Sequence, residues 1–148
     1  MKRRDFVAGA LGAVVLSNVP EPACAQTNLV ELVVFSVTSG APVRQGRVRI
    51  ELPLLADNGN SVPVRISVDS PMTGADYVKS IHLFSDRNPV TRMARFYLGP
   101  RSGRAEISSR VRLAGSQRVT ALAELSDGSF WSDSAQVVVT LSACLDES

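Results

Sequence analysis

Histidine is nearly absent: the 148 residues contain one, His82, in the stretch "SIHLFS". A zinc-type centre needs several nitrogen or sulfur ligands, and neither a cysteine nor a second histidine stands near His82 in sequence. The chain therefore shows no metal-ligand pattern and implies no cofactor, and His82 reads as a structural or surface residue of a strand, with an auxiliary binding role as the alternative. Charge of one sign is lacking as well. Sixteen Lys and Arg against 14 Asp and Glu leave +2, far below the surplus of a phosphate-binding surface, which argues against nucleic acid as a partner. Glycine-rich phosphate loops are missing too: Gly59 in "ADNGNS" and Gly128 in "SDGSFW" each belong to a single tight turn. No repeat, low-complexity tract or linker interrupts a chain whose 45% hydrophobic and 20% charged residues suit one domain with a buried core.

Long apolar runs are also scarce. The run from Phe6 to Leu16 covers eleven positions, well short of the roughly 20 that a membrane-spanning helix needs, so stable membrane anchoring is not expected. Lys2, Arg3 and Arg4 precede it, and Ala23-Cys24-Ala25 follows it as a small-x-small cleavage signature. Residues 1–25 thus read as a signal peptide. The pair Arg3-Arg4 followed by Asp5 and Phe6 fits the twin-arginine export pattern, with Lys2 where Ser or Thr is usual; an ordinary secretory signal is the alternative. Glu21 and Pro22 disfavour lipid attachment at Cys24, because a lipid-modification box wants an apolar residue there. Cutting after Ala25 leaves 148 − 25 = 123 residues and removes Cys24, so the exported chain keeps one thiol, Cys144. An unpaired thiol in an oxidising compartment calls for a use.

What the chain has is period-two alternation. Val48, Ile50 and Leu52 alternate with Arg49 and Glu51, and Val64, Ile66 and Val68 with Arg65 and Ser67. Further strands are expected from Val78 to Phe84, near Ala94 to Leu98, from Ala105 to Leu113, from Val119 to Leu125 and from Ala135 to Ser142, with Asn58-Gly59 and Asp127-Gly128 as turns. About seven short strands with turns every 8–12 residues indicate an all-β fold, an immunoglobulin-like antiparallel β-sandwich. One remaining cysteine leaves no disulfide to pin its sheets. The segment 28–38, "NLVELVVFSVT", is rich in Val, which favours strand, yet it also fits one short amphipathic helix ending before Gly40-Ala41-Pro42.

Catalysis would need a nucleophile with a base, paired carboxylates or a metal cluster, and no second group accompanies the thiol. Taken by itself, Cys144 is open to four readings: an inert buried thiol, an unpaired cysteine on a tail, an intermolecular disulfide, or a covalent attachment point on an arm. If Val137, Val139 and Leu141 face the core, alternation puts Cys144 on the opposite face, which favours exposure.

The stretches "LADNGNSVPVRISVDSPMTGADYVKSIHLFSDRNP", "SSRVRLAGSQRVTALAELSDGSFW" and "VVVTLSAC" resemble the SoxY family of periplasmic sulfur carriers over residues 46–144. The resemblance implies a twin-arginine signal over 1–25, a sandwich domain over 26–142 with an added N-terminal segment, and a cysteine-bearing arm over 143–148. It implies periplasmic thiosulfate oxidation, a heterodimer with a SoxZ-like sandwich protein, and a carrier that is no enzyme itself: sulfur intermediates are held on Cys144 and presented to sulfur-oxidising enzymes. The other function left open is a non-catalytic binding or assembly subunit that uses Cys144 for an intermolecular disulfide. This arm departs from the family's Gly-Gly-Cys-Gly-Gly, reading Ser142-Ala143-Cys144-Leu145-Asp146-Glu147-Ser148, and is more similar to a SoxY-related subgroup with an Ala-Ala-Cys-Ile-Glu arm. Ala143 and Leu145 remove the hinge that glycine supplies. Asp146, Glu147 and the terminal carboxylate put negative charge beside the sulfur, which disfavours the thiolate and repels an incoming anion.

Overall fold

The computed structural model describes residues 28–141. The proposed signal peptide and the arm with Cys144 lie outside those residues.

The ambiguous segment is a helix. Helix α1 spans Leu29–Thr38; the Asn28 side chain caps its start by accepting from the Val30 amide at 3.2 Å. Ser39, at φ 53°, and Gly40, at φ 80°, end it, and the Gly40 amide bonds back to the Phe35 carbonyl at 3.1 Å. A Cβ on Gly40 would stand 3.1 Å from the Phe35 ring, so a side chain there meets both strain and crowding. Local β-propensity loses here because a patch of the sheet needs a cover: Val30 joins Phe84, Leu122 and Phe130 in a small core, flanked by Val33, Val34 and Val37.

Nine strands follow: β1 Val43–Arg44, β2 Val48–Glu51, β3 Leu55–Asn58, β4 Val62–Val68, β5 Val78–Ser85, β6 Arg92–Tyr97, β7 Glu106–Val111, β8 Gln117–Leu125 and β9 Phe130–Leu141. Strands β2, β4 and β7 form a small antiparallel sheet in that order. The larger sheet runs β1-β9-β8-β5-β6, and β3 pairs with the far half of β9. Alternation does what it predicts in β4: Val62, Val64, Ile66 and Val68 are buried while Pro63 and Arg65 face out. Those residues meet Ile81, Leu83, Val119, Ala121, Ala123 and Val137 from the larger sheet in the main core. The all-β sandwich expected from the periodicity is thus the fold.

Two details differ from the expectation of about seven antiparallel strands. Strands β1 and β3 are additions, and both pair parallel with β9. They are too short, two and four residues, to leave a periodic signal. The turn at Asn58-Gly59 does not close a hairpin either, because it carries the chain from β3 beside β9 into β4 of the other sheet. Gly128, by contrast, sits at φ 80° in a tight turn joining β8 to β9 with Glu124 opposite Phe130.

Candidate functional site: the root of the arm

Strand β9 delivers the chain to the arm, and the structure fixes its last residue firmly. Leu141 stands opposite Asn58 in the parallel pairing with β3, and its carbonyl accepts from the Gly59 amide at 2.7 Å. The Gly59 carbonyl in turn accepts from Leu113 at 2.8 Å. The Thr140 hydroxyl donates to the Asp57 carbonyl at 2.7 Å. The Ser116 hydroxyl accepts from the Val139 amide at 2.9 Å. In sequence, Cys144 stands three residues beyond this anchored strand end.

Under this pole of the sandwich lies a buried polar network that periodicity does not reveal. The Ser85 hydroxyl donates to the Gln117 side-chain oxygen, which also accepts from the Arg87 amide at 3.1 Å. The Gln117 amide donates to the Asn88 side-chain oxygen at 3.1 Å and to the Gly115 carbonyl at 3.2 Å. Asn88 then reaches across, donating to the Arg112 carbonyl at 2.8 Å and accepting from the Ala114 amide at 2.9 Å. The network ties the 86–91 loop to the 112–116 loop. A buried polar group left without partners costs more than its bond contributes, which explains why "SDRNP" and "RLAGSQ", conspicuous in the sequence yet silent in period, sit where they do.

The other two conspicuous motifs meet at the opposite pole. Backbone and hydroxyl bonds join Tyr77 to Ser126, at 2.8 and 3.2 Å, so "SPMTGADYV" is stitched to "LSDGSFW". Trp131 donates to the Ser129 hydroxyl at 3.0 Å, and the Arg44 and Arg47 guanidinium groups lie 5.8 and 5.7 Å from its ring centre. Hydrogen bonds from the Ser129 hydroxyl and amide hold the Asp127 carboxyl below the usual carboxylate range. These contacts are scaffolding far from the root of the arm.

His82 is a structural residue, and it is not on the surface: it is 1% exposed. Its Nε2 lies 3.2 Å from the Ser80 hydroxyl, and its ring stacks on Phe84 at 6.0 Å. Its Nδ1 has no partner among the described residues. Burial, then the positive charges of Arg95 and Arg92 on β6, push its pKa down to about 4, against a smaller upward pull from Glu124 on β8. It is therefore neutral and packed, and among the described residues no group of three His, Cys, Asp or Glu side chains is placed to hold a metal.

A pH dependence follows. The unfolded chain takes up a proton on His82 near pH 6.5 and the folded one only near pH 4, so this contribution is complete above about pH 6.5 and is lost as pH falls toward 4. Over that span the effect is at most roughly 3 kcal/mol. Urea unfolding at pH 7 and pH 4.5 checks this: the wild type loses more stability between the two than His82→Gln does. Equal losses would rule out His82 as the source.

Comparison with known proteins gives this geometry a setting. The family model for the sulfur oxidation protein SoxY matches residues 35–144, from within helix α1 through Cys144. Among solved structures, the sulfur carrier protein SoxY from Chlorobium limicola f thiosulfatophilum superposes with a TM-score of 0.63 at 24% identity, covering 76% of this chain and 96% of that one. A superoxide reductase (neelaredoxin) from Ignicoccus hospitalis gives 0.56 at 19% identity over 64% of this chain and 80% of its own. The superoxide reductase from Nanoarchaeum equitans gives 0.55 at 12% identity over 65% of this chain and 100% of its own. At such identities these likenesses are of fold. Among curated proteins none matches.

Proposed function

The chain belongs to the SoxY family of sulfur oxidation proteins, and from that premise we propose that it carries a sulfur intermediate covalently on Cys144 and presents it to partner enzymes. The observation that carries the reading is that the family match runs to Cys144 itself, the only thiol left once residues 1–25 are removed. Three features support it. The cysteine follows a strand whose last residues are held by β3 and by Gly59, so a partner would meet the thiol on a short lead from a fixed point. A thiolate is the group that exchanges with sulfane sulfur and disulfides. The polar networks of the described domain are spent on tying loops together, which suits a carrier acted on by other enzymes rather than one that turns over substrate itself.

The finer parts of the proposal are export by the twin-arginine route, residence in the periplasm and pairing with a SoxZ-like sandwich protein. The non-glycine, acidic arm sets this protein apart from carriers with a Gly-Gly-Cys-Gly-Gly arm, and its cargo or partner enzymes differ accordingly. Intact-mass measurement of protein taken from the periplasm of sulfur-grown cells tests the carriage: we expect a reductant-labile adduct on Cys144. Unmodified thiol under every sulfur source would refute it, and a Cys144-linked dimer as the resting species on non-reducing gels would favour an assembly subunit.

A further inference from the structure

Along one side the sandwich is open. Strand β6 ends the larger sheet and β7 the smaller, and among the described residues no strand lies beyond either. Between the two edges runs a cleft of about 540 Å³. Its walls are largely apolar: Met93, Ala94 and Phe96 from β6 and Val111 from β7 line it, each half-buried and packed against the main core. Val90, from the loop before β6, adds a side chain that is 68% exposed. A cleft lined chiefly by apolar side chains, with a few polar groups to fix orientation, is the usual form of a small-molecule site.

The charged residues on its walls are Arg92, Arg110 and Arg112, all exposed, and no carboxylate lines it. Arg110 is already engaged: its guanidinium donates to the Ser61 hydroxyl at 3.2 Å, and it also borders the adjoining cleft, which Glu51 lines. The remaining acidic residues of this side are placed elsewhere. Glu106 of β7 pairs with Arg65 at 3.6 Å, and Asp86 and Glu31 line the separate cleft beside α1 together with Arg118. That leaves Arg92 and Arg112, which take part in none of the ion pairs among the described residues. Asn88 sets them at one end of the cleft: its side-chain amide donates to the Arg112 carbonyl at 2.8 Å and to the sulfur of Met93, the neighbour of Arg92, at 3.2 Å. From there the apolar wall runs along β6 to Phe96, four residues from Arg92, or roughly 13 Å of strand.

We propose that this cleft binds a free amphipathic acid: an unbranched aliphatic chain lies between β6 and β7 against Met93, Phe96 and Val111, and its carboxylate is held by Arg92 and Arg112. Guanidinium groups grip carboxylates through paired, charge-assisted hydrogen bonds. A half-buried thioether such as Met93 re-packs around an alkyl chain at little cost. The chain extends the main core into the side that the two sheets leave open, so affinity rises with its length, by up to about fourfold per buried methylene. Binding here is independent of the carriage proposed above, because it is measured with no cargo on Cys144.

The test titrates octanoate, below its micelle-forming concentration, into the full chain carrying isotope-labelled methionine methyl groups, followed by NMR. The Met93 methyl should shift and saturate while that of Met72, buried in the main core, stays in place. Hexanoate, two methylenes shorter, should bind about tenfold more weakly. Octanol, which lacks the charge, should bind about fivefold more weakly, and Arg92→Gln with Arg112→Gln should bring octanoate down to the octanol level. Ser109→Tyr, which fills the cleft from an exposed position on β7, should abolish the Met93 shift with the melting temperature unchanged. Absence of a Met93 shift in the wild type overturns the proposal, as does octanoate binding that the glutamine variants leave intact. So do three other outcomes: acetate acting as well as octanoate, which would mean a small-anion site; a response that never saturates and moves Met72 equally, which would mean detergent action; and a response to phosphatidylglycerol vesicles alone, which would mean contact with a lipid surface.

Discussion

Replacing Cys144 with serine is expected to abolish carriage outright: no mass adduct from any sulfur source, and sulfur-dependent oxidation reduced to the level of a strain lacking the protein. The size of the effect follows from the absence of any substitute. The proposed cut after Ala25 would take Cys24 with it and leave no second thiol, and a serine hydroxyl neither forms nor exchanges bonds to sulfane sulfur under conditions where a thiolate does. Folding should be untouched, because the substitution lies beyond the last ladder partner among the described residues, Leu141 opposite Asn58. The decisive measurements are intact mass and sulfur-dependent oxygen uptake in the complemented strain, alongside a melting curve. Full activity in the Cys144→Ser strain would show that cargo is not held on this residue.

Phe84→Ala should cost about 3–5 kcal/mol, the range for emptying a buried aromatic site. Phe84 is fully buried, although it does not face the main core. It lies on the outer side of the larger sheet with Leu122 and Phe130, under Val30 of helix α1. Its loss removes the seat of the helix as well as its own contacts, so the segment 29–38 should become cleavable by protease under native conditions. The control is Phe35→Ala on the same helix: Phe35 is 66% exposed and should cost under about 1 kcal/mol. A Phe84→Ala cost below 1 kcal/mol in urea titration would mean that the helix is not held by this cluster.

The Phe84 case also shows where sequence reading stops. Strict alternation in β4 marks one inner and one outer face, and the structure agrees residue by residue. In β5, "VKSIHLFS" is buried from Ser80 to Ser85 on both faces, and alternation cannot say what lies over the second face. That cover is α1, whose own Val-rich sequence is balanced between helix and strand until Phe84, Leu122 and Phe130 present it with a surface. His82, stacked on Phe84, is likewise buried by its neighbours in the fold, and burial together with Arg95 and Arg92 lowers its pKa. The parallel pairs of β1 and β3 with β9 were illegible for a different reason: strands of two and four residues carry too few alternations to register.

At the candidate site the division is similar. The position of Cys144 and the acidic, glycine-poor character of the residues around it are readable from residues alone, because both are matters of composition near one point in the chain; the carrier role proposed for that cysteine comes from the family resemblance. The motifs "SDRNP" and "RLAGSQ" were visible but mute: only folding brings Ser85, Asn88 and Gln117 within hydrogen-bond distance and shows that they brace the loops beside the arm.

By itself, then, the sequence determined the layered β architecture and the place of Cys144 among acidic, glycine-poor neighbours, since period-two burial and local composition are local properties. Tertiary structure alone decided the helix over the outer face, the neutral buried His82 and the polar network that joins Ser85, Asn88 and Gln117. Each of these depends on residues remote in the chain being brought together, and no local pattern encodes a distance between strands.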